Sequence, residues 1–211
     1  MKKFVGLIIV LSLVLAVCTL ALWVVLKYIQ PMVPDLMDLF VHEEPKEQKE
    51  TDDDDSIDFE SVEKYQDIVE EYATKYDVPI TLVYAVIECE SSFRENAKSS
   101  VGACGLMQLM PVTFNDVCEW LSLDYTVEQI MDPKVNIQCG TYYLSRMYRM
   151  FDDWELAVAA YNAGPGNVQK WLKNDDYVDD GKLVYIPFKE TSNHVQKVVK
   201  AWDKYETQMK G

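Results

Sequence analysis

The residue best placed to move a proton is Glu90. Ile80, Val83 and Ile87 fall at i, i+3 and i+7 of one helical face, and position i+10 of the same stripe is Glu90. Glu88 falls off that stripe. A carboxyl that continues an apolar face is drawn away from water, which disfavours its charged form and raises its pKa. An acid still protonated near neutral pH can act as a general acid. Periodicity alone leaves a second reading open, in which Glu90 has already reached solvent at the helix end.

Two later segments combine small residues with amide and aromatic groups. Val101-Gly102-Ala103-Cys104-Gly105-Leu106-Met107-Gln108 sets two glycines and an amide among apolar residues. Ala160-Tyr161-Asn162-Ala163-Gly164-Pro165-Gly166 ends a helix in a rigid turn. Four of the chain's eight glycines lie in these two segments, where close backbone approach or unusual dihedrals would need them. Aromatic rings with amides and hydroxyls suit sugars, which offer apolar faces and many hydroxyl groups. Either segment alone also reads as an ordinary loop or C-cap.

Other chemistries are poorly supported. The net charge of −15 argues against nucleic acid, whose phosphates require clustered Lys and Arg. With two histidines and no C-x-x-C pair, no metal site or cofactor is expected. There is no Gly-x-Ser-x-Gly elbow, and His194 is the one histidine beyond the acidic stretch, which disfavours a Ser or Cys peptidase.

The elements that must position Glu90 read as helices. Val62, Tyr65, Ile68, Val69, Tyr72 and Tyr76 recur at helical spacing. Pro79 opens the helix that carries Glu90. Asp132 N-caps a third through Tyr143, Leu144, Met147 and Phe151. A fourth runs from about Trp154 to Ala163. The last shows Val195, Val198, Val199, Trp202 and Tyr205 on one face. No stretch alternates as a strand does. The expected class is all-α with at most a small hairpin.

Upstream, Phe4 to Leu26 is an uncharged run of 23 residues, and roughly 20 helical residues cross a bilayer core. Lys2 and Lys3 precede it, which orients the N-terminus to the cytoplasm and the rest outside. A cleaved signal peptide is the rival, though its apolar core is usually only ~7–15 residues long. Cys18 in Leu-Ala-Val-Cys is a poor lipoprotein box and reads as part of the span. Val41 to Glu60 then holds ten acidic residues and two lysines, a net −8, which cannot bury apolar surface and reads as an extended spacer. The expected division is a stub and transmembrane anchor at 1–30, an acidic linker at 31–60 and a catalytic domain at 61–211, folding from near Phe59. Cys89, Cys104, Cys118 and Cys139 of that domain could form two disulfides or remain thiols.

Several motifs in order are similar to those of the soluble-lytic-transglycosylase-like domains. They begin with Glu90-Ser91-Ser92-Phe93, Ala97 and Ser99, followed by Gly102 to Gln108 and on through Leu109-Met110-Pro111-Val112-Thr113. Asn136-Ile137 with Gly140 and Tyr143-Leu144 resembles that family's central helix. Ala160 to Gly166 and Ile186-Pro187-Phe188-Lys189-Glu190-Thr191 resemble two later motifs. The likeness spans roughly residues 62 to 205.

The resemblance implies a goose-lysozyme-like fold and Glu90 as single catalytic acid and base. It implies substrate contacts from Ser91, Met107, Gln108, Tyr161, Asn162 and Glu190. The implied substrate is the peptidoglycan glycan strand, cleaved outside the cell at the MurNAc–GlcNAc bond with closure to a 1,6-anhydro sugar. A water-using muramidase and a non-catalytic glycan-binding module are the alternatives. Cell-wall turnover, division, secretion or conjugation machinery are all open as contexts. The chain departs from the pattern at Ser192, where the family often has Arg, and at His194, where it usually has Tyr. If His194 lies near the cleft, its cation should lower the Glu90 pKa once it protonates, below about pH 6.5; on the surface it would have no influence.

Overall fold

The computed structural model describes residues 56–209. The apolar run, Cys18 and the linker up to residue 55 lie outside the described residues. Among those described, no helix is long and apolar enough to cross a membrane. Seven α-helices form the described part: α1 Phe59–Tyr76, α2 Ile80–Ser91, α3 Pro111–Leu121, α4 Pro133–Phe151, α5 Trp154–Ala163, α6 Pro165–Trp171 and α7 Lys189–Met209. One small antiparallel hairpin, β1 Val178–Asp179 and β2 Lys182–Leu183, pairs Val178 with Leu183. The mainly helical expectation with one hairpin is met.

The starts of five of the helices follow from their sequence. Asp58, Asp132 and Asp153 accept hydrogen bonds from the backbone N–H groups of Ser61, Val135 and Leu156, at 3.2, 3.0 and 2.9 Å. Each thereby satisfies an N–H that the helix itself cannot. Ile57, just before α1, is already buried, so ordered packing begins slightly upstream of residue 61. Pro111, Pro133 and Pro165 each occupy a first-turn position, where a missing N–H does no harm. The Gly164-Pro165 stop of α5 is therefore also the start of α6. The short α6 and the helix from Pro111 are the elements that apolar spacing did not reveal.

Helix α2 runs through the middle of the core. Leu82, Val83, Tyr84, Ala85, Val86 and Ile87 are all buried, so it is apolar nearly all round rather than on one stripe. Its widest packing is against α7, and polar contacts fix the relative placement of the two helices. Lys204 donates to both oxygens of Glu88, at 2.8 and 3.0 Å, and Tyr205 donates to Oε2 at 2.6 Å. Two helical turns nearer the start of α2, Thr81 donates to Glu206 and accepts from the Trp202 indole at 3.0 Å.

A second, smaller apolar cluster joins α3 to the start of α4 through Phe114, Val117, Ile130 and Val135. It also holds Cys104, Cys118 and Cys139. The four cysteines of the described residues are free thiols. Cys118 and Cys139 share a hydrogen bond, and burial pushes both thiol pKa values up.

Gly140 on α4 lies against Met107. A Cβ there would come within 2.8 Å of the Met107 Cβ, which is backbone-anchored and has little room to give. Overpacking of a core usually costs about 1–3 kcal/mol. Gly140→Ala is expected to lower the melting temperature despite alanine's better helix propensity; an unchanged or higher transition in a thermal melt would show that the Met107 contact is slack.

Candidate active site

Glu90 sits in the last turn of α2. The helix ends abruptly: Ser92 and Phe93 both adopt left-handed backbone conformations, with φ of 49° and 57°. Non-glycine residues rarely do this, and such strain persists only where surroundings enforce it. Here the Phe93 ring is buried beside Tyr65 and Tyr84, with centroids 6.3 and 6.5 Å away. Arg94 Nε donates to the Ser91 carbonyl at 2.9 Å, capping the helix end. The Glu90 carboxyl is thus held at the floor of a cleft with only 15% of its side chain exposed. Loss of hydration pushes its pKa up to about 8. Glu90 is withdrawn from water as expected, although the helix that carries it is apolar nearly all round rather than along one stripe.

One cleft wall is the loop from Ala97 to Leu109. Cys104 and Leu109 exchange both backbone hydrogen bonds, at 3.0 and 2.9 Å, across a tight turn. Within it Gly105 has φ of 78° and Gln108 has φ of 45°. The Gln108 amide donates to the carbonyls of Ala97 at 3.1 Å and Gly105 at 2.9 Å, so its oxygen is left for a ligand. Ser99 Oγ accepts from the Ala103 N–H at 2.9 Å, and Ser99 also lines the cleft.

What pins this loop is Asn136, a fully buried amide on α4. Its Oδ1 accepts from the Met107 N–H at 2.8 Å, and its Nδ2 donates to the carbonyls of Cys104 at 3.0 Å and Ile130 at 2.7 Å. Every Asn136 contact is thus with backbone. Gly105 is required here for space as well as for φ, because a Cβ would lie within 2.7 Å of the Asn136 Cγ.

The opposite wall comes from α5 and α7. Tyr161, Asn162 and Glu190 line the cleft with Tyr143. The Tyr161 hydroxyl donates to the Met107 carbonyl at 2.7 Å, tying the two walls together. Thr191 donates to Asn162 Oδ1 at 2.8 Å, fixing the amide and turning its NH₂ outward. Of the six substrate-contacting residues implied by resemblance, Gln108, Tyr161, Asn162 and Glu190 stand on the wall. Ser91 and Met107 do not. Ser91 is buried and its hydroxyl donates back to the Ile87 carbonyl at 3.1 Å, the usual outcome for a serine inside a helix. The Met107 side chain is fully buried against Gly140, and it is its backbone that serves the site. The positioning roles of Asn136 and Thr191 were not legible; a polar residue on an otherwise core-facing stretch of helix was the available signal.

His194 differs from its expectation. Its Nε2 lies 3.4 Å from Glu90 Oε1, with only 13% of its side chain exposed, so it is at the cleft rather than on an indifferent surface. Yet burial, reinforced by the Lys197 ammonium, pushes its pKa down to about 4. The expected onset of an imidazolium effect below about pH 6.5 is therefore corrected: between about pH 4 and pH 8 the ring is neutral while Glu90 holds its proton. The two groups face each other as neutral partners, because burying both disfavours the ion pair.

Among the described residues no group of three or more His, Cys, Asp and Glu side chains is placed to hold a metal ion. The transglycosylase SLT domain family model matches residues 67–184, which span the helix of Glu90, the Ala97–Leu109 loop, Tyr161 and Asn162, and the hairpin. The chain belongs to this family. The soluble lytic murein transglycosylase of Escherichia coli K12 is 38% identical over 146 residues, covering 67% of this chain and 22% of that protein. The membrane-bound lytic murein transglycosylase C of Haemophilus ducreyi is 30% identical over 67% of this chain and 45% of its own length. This chain therefore spans less than half of either relative. Among solved structures, the 70-kDa soluble lytic transglycosylase of E. coli aligns over 69% of this chain and 24% of that one, with 35% identity and a TM-score of 0.64. An inactive Glu-to-Gln mutant of the lytic transglycosylase Slt from Pseudomonas aeruginosa aligns equally well, at 34% identity and TM-score 0.64.

The raised carboxyl of the SLT domain has a thermodynamic signature. Between the ordinary carboxyl value of 4.5 and about 8, the folded domain holds a proton that the unfolded chain has released. Stability contributed at Glu90 is therefore lost as pH rises through that window. At pH 7 the burden is on the order of 3 kcal/mol. Glu90→Gln is expected to raise the unfolding free energy at pH 7 and to flatten its fall between pH 5 and 8. Parallel denaturation curves for the two proteins across that range would show that Glu90 is not buried in protonated form.

Proposed function

We propose that this protein is a membrane-anchored lytic transglycosylase that cleaves peptidoglycan glycan strands outside the cell. The observation that carries the reading is Glu90, a carboxyl kept protonated near neutral pH by burial at the floor of a cleft lined by amides and aromatic rings. Membership of the SLT family and its relatives, which are named as murein transglycosylases, support the substrate class. Residues 1–30 serve as stub and transmembrane anchor, and the acidic stretch that follows serves as spacer to the catalytic domain.

In this mechanism the Glu90 proton passes to the glycosidic oxygen between N-acetylmuramic acid and N-acetylglucosamine as the C1–O bond breaks. Positive charge develops at C1, where the substrate's own acetamido group can stabilise it. The Glu90 carboxylate then takes the proton of the muramyl C6 hydroxyl, whose oxygen bonds to C1. Glu90 regains its proton, a 1,6-anhydro sugar forms and no water is consumed. One carboxyl suffices because nucleophile and electrophile belong to the same ring, so no second reactant has to be held in place. Most glycosidases instead place two carboxyls across the bond. Glu190, on the far wall, is exposed and takes the role of contacting substrate.

Purified sacculi digested with this protein are expected to yield muropeptides lighter by one water than those from a hydrolytic muramidase. Glu90→Gln should reduce release by at least ~10²-fold, the usual minimum for a lost general acid. Hydrolysed products from the wild type would identify a water-using muramidase, and a fully active Glu90→Gln protein would remove Glu90 from the chemistry. The spacer role predicts that residues 56–211 fold and cleave without the preceding segment; the fragment should retain Ile57 and the Asp58 cap, since losing a cap alone costs about 0.5–2 kcal/mol.

A further inference from the structure

The polar atom facing the buried Glu90 carboxyl is His194 Nε2, at 3.4 Å from Oε1. That nitrogen is itself shielded from solvent and has no hydrogen-bond partner. At 3.4 Å and off axis the contact is not a formed hydrogen bond, since ordinary N–H···O distances lie near ~2.9 Å. A buried nitrogen left in this state is unfavourable, and the shortfall is small enough for a modest side-chain rotation to close.

We propose that His194 is the positioning residue for Glu90: its Nε2–H donates to Oε1, which leaves the carboxyl proton on Oε2 for the substrate and stabilises the carboxylate once that proton has gone. The inference rests on Glu90 being the acid and goes beyond it by naming what orients the acid and supports its conjugate base.

Three considerations fix the direction of the bond. First, the ring is neutral and carries one proton. Its burial and the Lys197 ammonium both oppose an imidazolium, so an ion pair is not the resting state. Second, the reverse bond, from the carboxyl O–H into Nε2, would hold the catalytic proton away from the glycosidic oxygen. Third, an N–H···O bond to a carboxylate is roughly twice as strong as one to a neutral acceptor. The His194 donor therefore gains strength as Glu90 loses its proton, which is the behaviour required of a group that favours the transition state over the ground state.

The surrounding groups do not compete for the role. On α7 itself the charged neighbours are Glu190 and Lys197. On α2, Cys89 has its thiol pKa pushed up to about 12 by burial, and Glu88 is engaged by Lys204 and Tyr205. On α5, Tyr161 spends its hydroxyl proton on the Met107 carbonyl, and burial raises its pKa well above the ordinary tyrosine range.

The test compares His194→Phe and His194→Tyr in the full-length protein, with kcat and KM followed from pH 5 to 10 on purified sacculi. The phenyl ring fills the space without a donor, and the phenol restores one. His194→Phe is expected to lower kcat by ~10-fold or more, the worth of one hydrogen bond to a charged group, with KM nearly unchanged. Its alkaline limb should move to higher pH, because a carboxylate without a donor holds its proton more tightly. His194→Tyr should recover most of the rate. An alkaline limb that moves to lower pH would mean that Nε2 accepts the proton instead, and a profile matching wild type would remove His194 from the reaction; either overturns the proposal. Glu90→Gln run alongside separates the two levels: an active Glu90→Gln protein defeats the assignment of the acid, whereas an inactive one with an indifferent His194→Phe defeats only the donor. Should His194→Phe fail to fold, ¹⁵N NMR of the wild-type imidazole decides, with His42→Gln removing the other histidine signal. The Nε2–H tautomer is expected at pH 7, and an Nδ1–H tautomer is incompatible with donation to Oε1.

Discussion

A carboxyl group stays protonated near neutral pH only while water is kept from it, and the rest of the described structure can be read as what that exclusion requires. Glu90 sits at the end of the most completely buried helix, with Tyr84 to Ile87 sealed beneath it. A helix end left to itself frays and lets water in. This one is held by the two left-handed residues that follow it, by Arg94 on its terminal carbonyl, and by α7 packed along its length. The strained backbone at Ser92 and Phe93 turns the chain away at once, so that no further helical turn covers the cleft mouth over Glu90.

The same exclusion explains why a polar side chain is buried on α4. The Ala97–Leu109 loop is short of regular partners for its backbone, and a buried backbone N–H or C=O without one is costly. Asn136 bonds two such groups of the loop, and the Ile130 carbonyl beside it, at once. An aspartate could accept from Met107 but could not donate to Cys104 and Ile130, and a leucine would strand the Met107 N–H and the Ile130 carbonyl and leave the Cys104 carbonyl with the Leu109 N–H alone. The Gly105 and Gly140 positions follow from this arrangement, one making room for the Asn136 amide and the other for Met107. Loop, amide and two glycines thus form one interlocked unit, in which changing any one member strains the others.

How much of this was legible follows from the kind of signal each part leaves. Helices with long apolar stripes, α1, α4 and α7, announce themselves through spacing. The short α6 does not, because a seven-residue helix shows too few turns for periodicity and begins on a Gly-Pro that reads as a stop. Glu90 was visible as a break in an apolar stripe, and Gln108, Tyr161 and Asn162 as motif positions. Ser91 and Met107 belong to the same motifs and yet face the core. A motif records which residues occur together; it does not separate those that touch a ligand from those that hold the others in place. The buried state of His194 could not be foreseen, since α7 carries polar residues on both flanks of its apolar stripe and only the packing on α2 decides which flank is covered.

Glu88 and Glu90 make the division of labour in α2 explicit. They are two residues apart, so they point to different sides of one helix. Glu88 is met by an ammonium and a phenol from α7, at 2.8 and 2.6 Å, and these two contacts give α2 its fixed seat on α7. Glu90 is denied such a partner and meets a neutral imidazole. Had a lysine stood at position 194, where His194 faces Glu90, the carboxyl would be held as a carboxylate and could donate no proton. Burial, with the neighbouring ammonium of Lys197 adding to it, instead lowers the pKa of His194 and so keeps the imidazole uncharged. A rigid helix–helix contact and a reactive acid are thus obtained from the same residue type on the same helix, and what separates them is which flank of α7 carries a positive charge within reach.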